Sequence, residues 1–171
     1  MINAAIVGLG WWGKTLVESV QGSSDEIQFV AGVARTQTDE LKAFAAAQNM
    51  TLYDSYEKAL GDPRVQAVVL ATPHSLHTAQ VIAAAQAGKH VFCEKPFALT
   101  KADAEAAVAA TTKAKVTLGL GYNRRFHPEM TKLRQQIRSG ELGTILHVEA
   151  TMTFPNGLML KPGPVAVIVP R

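Results

Sequence analysis

A single cysteine, Cys93, stands in the 171 residues. One thiol makes no intramolecular disulfide framework and no cysteine-cluster metal site, and it fits a reducing compartment. Long apolar runs are missing as well: a charge or a proline interrupts each one, well short of the roughly 20 residues that a membrane-spanning helix needs. The apolar stretch at the N-terminus has no basic segment ahead of it, so it does not read as a secretion signal. Aromatic residues make up only 6%. The basic residues Arg124, Arg125, Lys132, Arg134 and Arg138 lack the alternating aromatics that stack on bases, which counts against a nucleic-acid surface. These absences predict a soluble cytoplasmic protein with neither a membrane nor a nucleic acid as partner.

Hydrophobic residues form 47% of the chain, enough to bury a substantial core, and the length allows one full domain and a remainder. The formal net charge is only +3, yet residues 1–114 carry 9 basic and 11 acidic side chains against 8 basic and 3 acidic in residues 115–171. That C-terminal excess reads as a solvated helix face or a surface that meets an acidic region.

The richest stretch is the first. Ile2 to Val7 is an apolar β-forming run, and it flows into Gly8, Leu9, Gly10, Trp11, Trp12 and Gly13. Strand, glycine turn and helix start in that order form the fingerprint of a dinucleotide-binding unit. Gly8 permits the sharp turn, Gly10 keeps a side chain away from a pyrophosphate, and Gly13 lets the helix pack closely on its strand. The pyrophosphate then sits among the unpaired N–H groups of a helix N-terminus.

Apolar runs recur at 2–7, 27–34, 65–71, 90–93 and 116–121, with a short strand at 51–53, and alanine-rich helical segments separate them. About six strands and five helices in alternation predict an α/β fold, a doubly wound parallel sheet of the Rossmann kind, over residues 1–122. From Pro128 a further helix runs to about Ser139 and stops at Gly140. Residues 144–154 then alternate as a half-buried strand does, so residues 123–171 read as hinge, helix and first strands of a second, incomplete α/β domain. An uncovered strand of that kind predicts self-association, hence a homo-oligomer.

Function resides where the strands end. After the second strand an acidic residue commonly holds the ribose hydroxyl; here stand Arg35 and Thr36, and an arginine suits a 2′-phosphate, so NADP is favoured and NAD remains possible. A surface arginine in a loop is the alternative. The fourth strand ends in Ala71, Thr72, Pro73 and His74, with His77 following, and Pro73 turns the chain out of the sheet at the edge where ligands bind. His74 and His77 have no third ligand nearby in sequence, so no metal is expected. The fifth strand delivers Glu94 and Lys95 to the same edge. Lys95 is placed to donate to a substrate oxygen or to the nicotinamide ribose, with Glu94 to orient it; a solvated ion pair is the plainer reading.

Taken in order, Gly8 to Gly13, Ala71 to His74 with His77, Glu94-Lys95-Pro96 and Gly121 to Pro128 resemble the Gfo/Idh/MocA oxidoreductases, which include glucose-fructose oxidoreductase and inositol dehydrogenase. The resemblance covers residues 1 to about 154. It implies that Lys95 is the family's active-site lysine, and that Glu94 and Thr72 to His77 line the cofactor cleft. It further implies that Tyr122 to Pro128, including Arg124 as a hinge or cleft residue, joins the two domains. The substrate it implies is a small molecule, a sugar, cyclitol or related polyol.

The sequence departs from that pattern after Phe154, where no histidine or aspartate occurs, although relatives carry an aspartate and a proton-transferring histidine on a helix. Pro164 to Arg171 no longer resembles the family, which reads as a truncated or frameshifted chain. A non-catalytic nucleotide-binding remnant and a regulatory or scaffold protein are the alternatives to an enzyme.

Overall fold

The computed structural model describes residues 1–151. The chain divides into two units, Met1–Asn123 and Arg124–Arg171. In the first, six strands alternate with five helices: β1 (Ile2–Val7), α1 (Trp11–Val20), β2 (Ile27–Val33), α2 (Asp39–Ala47), β3 (Thr51–Tyr53), α3 (Tyr56–Gly61), β4 (Ala67–Leu70), α4 (His77–Gln86), β5 (His90–Cys93), α5 (Lys101–Ala114) and β6 (Leu118–Leu120). Every strand pairing is parallel, in the order β3-β2-β1-β4-β5-β6. This is the doubly wound sheet expected from the sequence. Its winding reverses between β1 and β4, the point at which open α/β sheets bind their ligands.

Successive residues of a strand face opposite sides of the sheet, and both sides here are covered. Ala5 and Val7 join one apolar cluster with Leu70, Val81 and Ala107; Ala4 and Ile6 join the other with Val17, Ala45 and Val69. Helices α4 and α5 therefore lie on one face and α1 and α2 on the other. The β1–β2 register shifts between Ala4 and Ala5, which pair with Phe29 and Ala31. The skipped residue puts Phe29 in the cluster of Ala4, and Ala31 in the cluster of Ala5.

Local chemistry sets the helix boundaries. The side chains of Thr38, Ser55 and Thr100 each cap a helix by accepting a backbone N–H three residues on. Gly88 takes a positive φ of 69° just past α4, where the left-handed region ends helices at little cost to glycine. A 3-10 turn, His74–Leu76, precedes α4, so the helix begins one residue later than the sequence suggests.

The second unit contains the 3-10 residues Arg124 to Phe126 and α6 (Pro128–Ser139), with Pro128 in its first turn. Gly140, at φ 78°, ends the helix as expected. Met130, Leu133 and Ile137 recur along α6 and are 41–50% exposed.

The expected strand at 144–154 is not formed over its described part. Residues 145–151 have no regular structure and are exposed, Leu146 to 91%. A strand exists only as part of a ladder, and no described strand pairs with this one, so alternation alone does not order it. The open-edge reason for self-association lapses with it. The remainder of that segment, Met152 to Phe154, and the possible strand Val165–Val169 lie outside the described residues. Among the described residues no helix is long and apolar enough to cross a membrane, and no group of three His, Cys, Asp or Glu side chains is arranged to hold a metal ion.

Candidate functional site

Four loops at the carboxyl ends of β1, β2, β3 and β4 enclose a cleft of about 690 Å³. The glycines of the first loop have three different physical reasons. A Cβ on Gly8 would stand 2.7 Å from the Ala71 carbonyl oxygen, and its φ of +96° strains any other residue. On Gly13 it would stand 2.0 Å from the Gly8 carbonyl oxygen, so the first turn of α1 packs directly on the loop. On Gly10 it would meet no protein atom within 4 Å. Packing therefore does not require a glycine there, yet Gly10 lines the cleft. The bare backbone leaves room for something that is not protein.

Helix α1 opens at that point. Its N-cap is Gly10, no side chain caps it and no acid stands in its first turn. Leading N–H groups of a helix carry partial positive charge and have no intrahelical acceptor. This first turn is formed by Trp11, Trp12 and Gly13, with Trp11 79% exposed. The loop has the shape and polarity of an anion cradle, and the residues fit a pyrophosphate.

Of the sequence-predicted residues, Gly8, Leu9, Gly10, Arg35, Thr72 and Pro73 line the cleft together. Arg35 is exposed on its rim, with Thr36 exposed beside it. The sequence reading missed the β3–α3 loop, where Asp54, Ser55, Tyr56 and Glu57 supply a wall, and missed Leu41 and Gln80; Leu76, within the expected stretch Thr72 to His77, lines the cleft. Burial pushes the Tyr56 phenol well above its ordinary range, and its hydroxyl donates to the Gln80 carbonyl at 2.9 Å. Thr72 Oγ1 donates to Gln80 Oε1 at 2.5 Å, so Gln80 ties two walls of the cleft together. The signal for this wall was present: any loop leaving the carboxyl end of a strand beside the winding reversal is a candidate.

The exit of β5 is tied to both neighbouring strands, because Glu94 N donates to Leu70 O at 3.0 Å and Gly121 N donates to Cys93 O at 2.8 Å. Glu94 is 7% exposed, and its carboxylate lies 2.7–2.9 Å from where a Cβ on Gly121 would stand. It accepts the Lys95 backbone N–H at 3.2 Å. The anticipated side-chain pair between Glu94 and Lys95 is absent among the described residues; the carboxylate instead orients the chain on which Lys95 projects, exposed. Burial, reinforced by the Glu94 charge, pushes the Cys93 thiol up to about 12, which leaves it an inert core residue.

One assignment changes. His77 does not line the cleft, because it is 0% exposed and both its ring nitrogens face backbone carbonyls; only His74 of the pair is exposed. Arg124 opens the second unit, in the turn that precedes α6.

Sheet order, glycine loop and cleft define a dinucleotide-binding Rossmann domain. Residues 2–122 match the oxidoreductase family with an NAD-binding Rossmann fold, GFO_IDH_MocA, and the chain belongs to that family. It is 34% identical over 143 residues to myo-inositol 2-dehydrogenase of Thermotoga maritima, covering 83% of this chain and 42% of that protein. It is also 34% identical over 149 residues to D-xylose 1-dehydrogenase (NADP(+)) 2 of Haloferax volcanii, covering 84% and 44%. Among solved structures, the WlbA dehydrogenase of Bordetella pertussis, in complex with NADH and UDP-GlcNAcA, superposes with a TM-score of 0.76 at 30% identity, over 83% of this chain and 43% of that one. The chain thus spans less than half the length of these relatives.

Proposed function

We propose that the chain is the nucleotide-binding part of an NADP-preferring oxidoreductase acting on a sugar, cyclitol or related polyol. The observation that carries this reading is Gly10, a glycine in the cleft that packing does not explain, at the uncapped start of α1. Gly8, Leu9, Gly10 and the first turn of α1 would hold the pyrophosphate, and Arg35 with Thr36 would meet the 2′-phosphate. Arg35 matches such a group as a planar cation with several donors. The nicotinamide, when bound, supplies the acceptor or donor of a hydride. Lys95 hydrogen-bonds the reacting oxygen of the substrate and stabilises the negative charge that develops on it, while Glu94 orients the backbone that carries Lys95. The names of the relatives, an inositol and a xylose dehydrogenase, support a polyol substrate.

Fluorescence titration of the purified chain with NADPH and NADH tests the cofactor reading. NADPH binds more tightly, and Arg35→Asp reverses that order; each 1.4 kcal/mol of lost interaction with the 2′-phosphate is about tenfold in Kd. An unchanged NADPH to NADH ratio in Arg35→Asp refutes the role of Arg35.

A further inference from the structure

Gln80 stands in the first turn of α4, half-buried, and lines the cleft. Both neighbouring walls fix it. The Tyr56 hydroxyl donates to its backbone carbonyl at 2.9 Å, and Thr72 Oγ1 donates to its side-chain Oε1 at 2.5 Å. A separation of 2.5 Å suits O–H···O and is well under the roughly 2.9–3.0 Å of N–H···O, so the amide oxygen, not its nitrogen, faces Thr72. The amide NH₂ then points away from Thr72. It offers two donors, and no protein acceptor meets them among the described residues. Nor is the nitrogen sealed in the core: among the described residues, the buried side-chain N or O without a partner is Trp12 Nε1 alone. A polar group fixed on one side by a hydrogen bond and open to a cleft on the other is a preorganised donor.

We propose that Gln80 binds the adenosine half of the nucleotide, its NH₂ donating to a ring nitrogen or ribose oxygen of adenosine while Thr72 holds the amide in that orientation. The placement follows from the cleft. The four loops that enclose it belong to β1, β2, β3 and β4, whereas Lys95 stands past the end of β5. The 2′-phosphate is a substituent of the adenosine ribose, so a nucleotide that sets it on Arg35 carries adenosine beside Arg35, in the same cleft as Gln80. Adenosine itself is uncharged and rich in acceptors, and it calls for apolar surface and neutral donors. Leu41 and Leu76 supply the surface. Asp54 and Glu57 only accept, and the hydroxyls of Tyr56 and Thr72 already donate to Gln80. The neutral donors left on this wall are the Ser55 hydroxyl and the Gln80 amide, and the amide is the one fixed from two sides.

This role rests on the cofactor reading above. Two fragments separate the halves of the nucleotide: adenosine 2′,5′-bisphosphate and reduced nicotinamide mononucleotide. In the ¹⁵N-labelled chain, with the Gln80 side-chain NH₂ signals assigned by their absence in Gln80→Glu, the bisphosphate shifts that pair and the mononucleotide leaves it in place. Bound bisphosphate with the pair unmoved, or a shift produced by the mononucleotide, overturns the proposal. Gln80→Met weakens the bisphosphate by about three- to tenfold, the equivalent of one hydrogen bond between neutral groups, and an unchanged affinity in the folded variant overturns the proposal. Gln80→Glu keeps an acceptor for the Thr72 hydroxyl but has no N–H, so it restores the thermal midpoint lost in Gln80→Met without restoring affinity. Full affinity in Gln80→Glu overturns the proposal, because the tie to Thr72 would then suffice. If Gln80→Met does not fold, the amide signals and Gln80→Glu decide. An unmodified chain that binds neither NADPH nor the bisphosphate refutes the cofactor reading and this role together; one that binds both with the Gln80 amide unmoved refutes this role alone.

Discussion

Gly10 and Gly13 stand three residues apart and serve different ends. A Cβ at Gly13 would collide with backbone, 2.0 Å from the Gly8 carbonyl oxygen. Gly13→Ala therefore costs about 3 kcal/mol of stability or more, measured by urea denaturation. At Gly10 there is room, and its φ of −72° is open to any residue, so Gly10→Ala leaves stability within about 0.5 kcal/mol and weakens nucleotide binding. Equal stability losses in the two variants would refute this division. At the opposite end of the strands, Asp62 accepts from Arg64 and Tyr53. The Arg64 guanidinium holds its carboxyl at about 2, against an ordinary 3.8. The folded-state value is the lower one, so this stabilisation is present above the unfolded value and is lost as the pH falls from about 4 through about 2. Denaturation midpoints at pH 7, 4 and 2 check it. Asp62→Asn flattens this component of the profile.

At the scale of elements, short strands of three to seven residues are legible when they recur between helices with their own start and stop signals. Thr100 illustrates a start: its hydroxyl accepts the Asp103 N–H at 3.1 Å and donates to Asp103 Oδ2 at 2.7 Å. Thr100→Ala removes both bonds and destabilises by about 1 kcal/mol, read as a lower thermal midpoint; Thr100→Ser restores it. The segment 145–151 shows the converse. Its alternating pattern matches a strand, but a strand is stabilised across its edges, by hydrogen bonds to neighbours that pattern cannot supply. Helix α6 formed where expected because a helix satisfies its backbone internally.

For the whole molecule, a ligand that binds only the folded state raises its stability. At about 100 times its Kd, NADPH contributes about 2.7 kcal/mol, and at about 2–4 °C per kcal/mol for a chain of this size the thermal midpoint rises by about 5–10 °C. No shift at saturating NADPH would refute nucleotide binding. The sequence by itself determined the sheet, because the glycine loop, the alternation of β-rich runs with capped helices, and the apolar residues on both strand faces are local signals that all favour one winding. It likewise marked Gly8, Gly10, Arg35 and Thr72, since each stands at a strand's end and the winding brings those ends to one edge. Tertiary structure alone decided which neighbours meet across that edge. Tyr56 and Gln80 became cleft walls through a bond between residues 24 apart in the chain. Glu94 turned inward because Gly121 has no side chain in its way. His77 left the cleft because two carbonyls, 5 and 19 residues away, converge on its ring. Such placements depend on the spacing and tilt of packed elements, which no periodicity in the chain encodes.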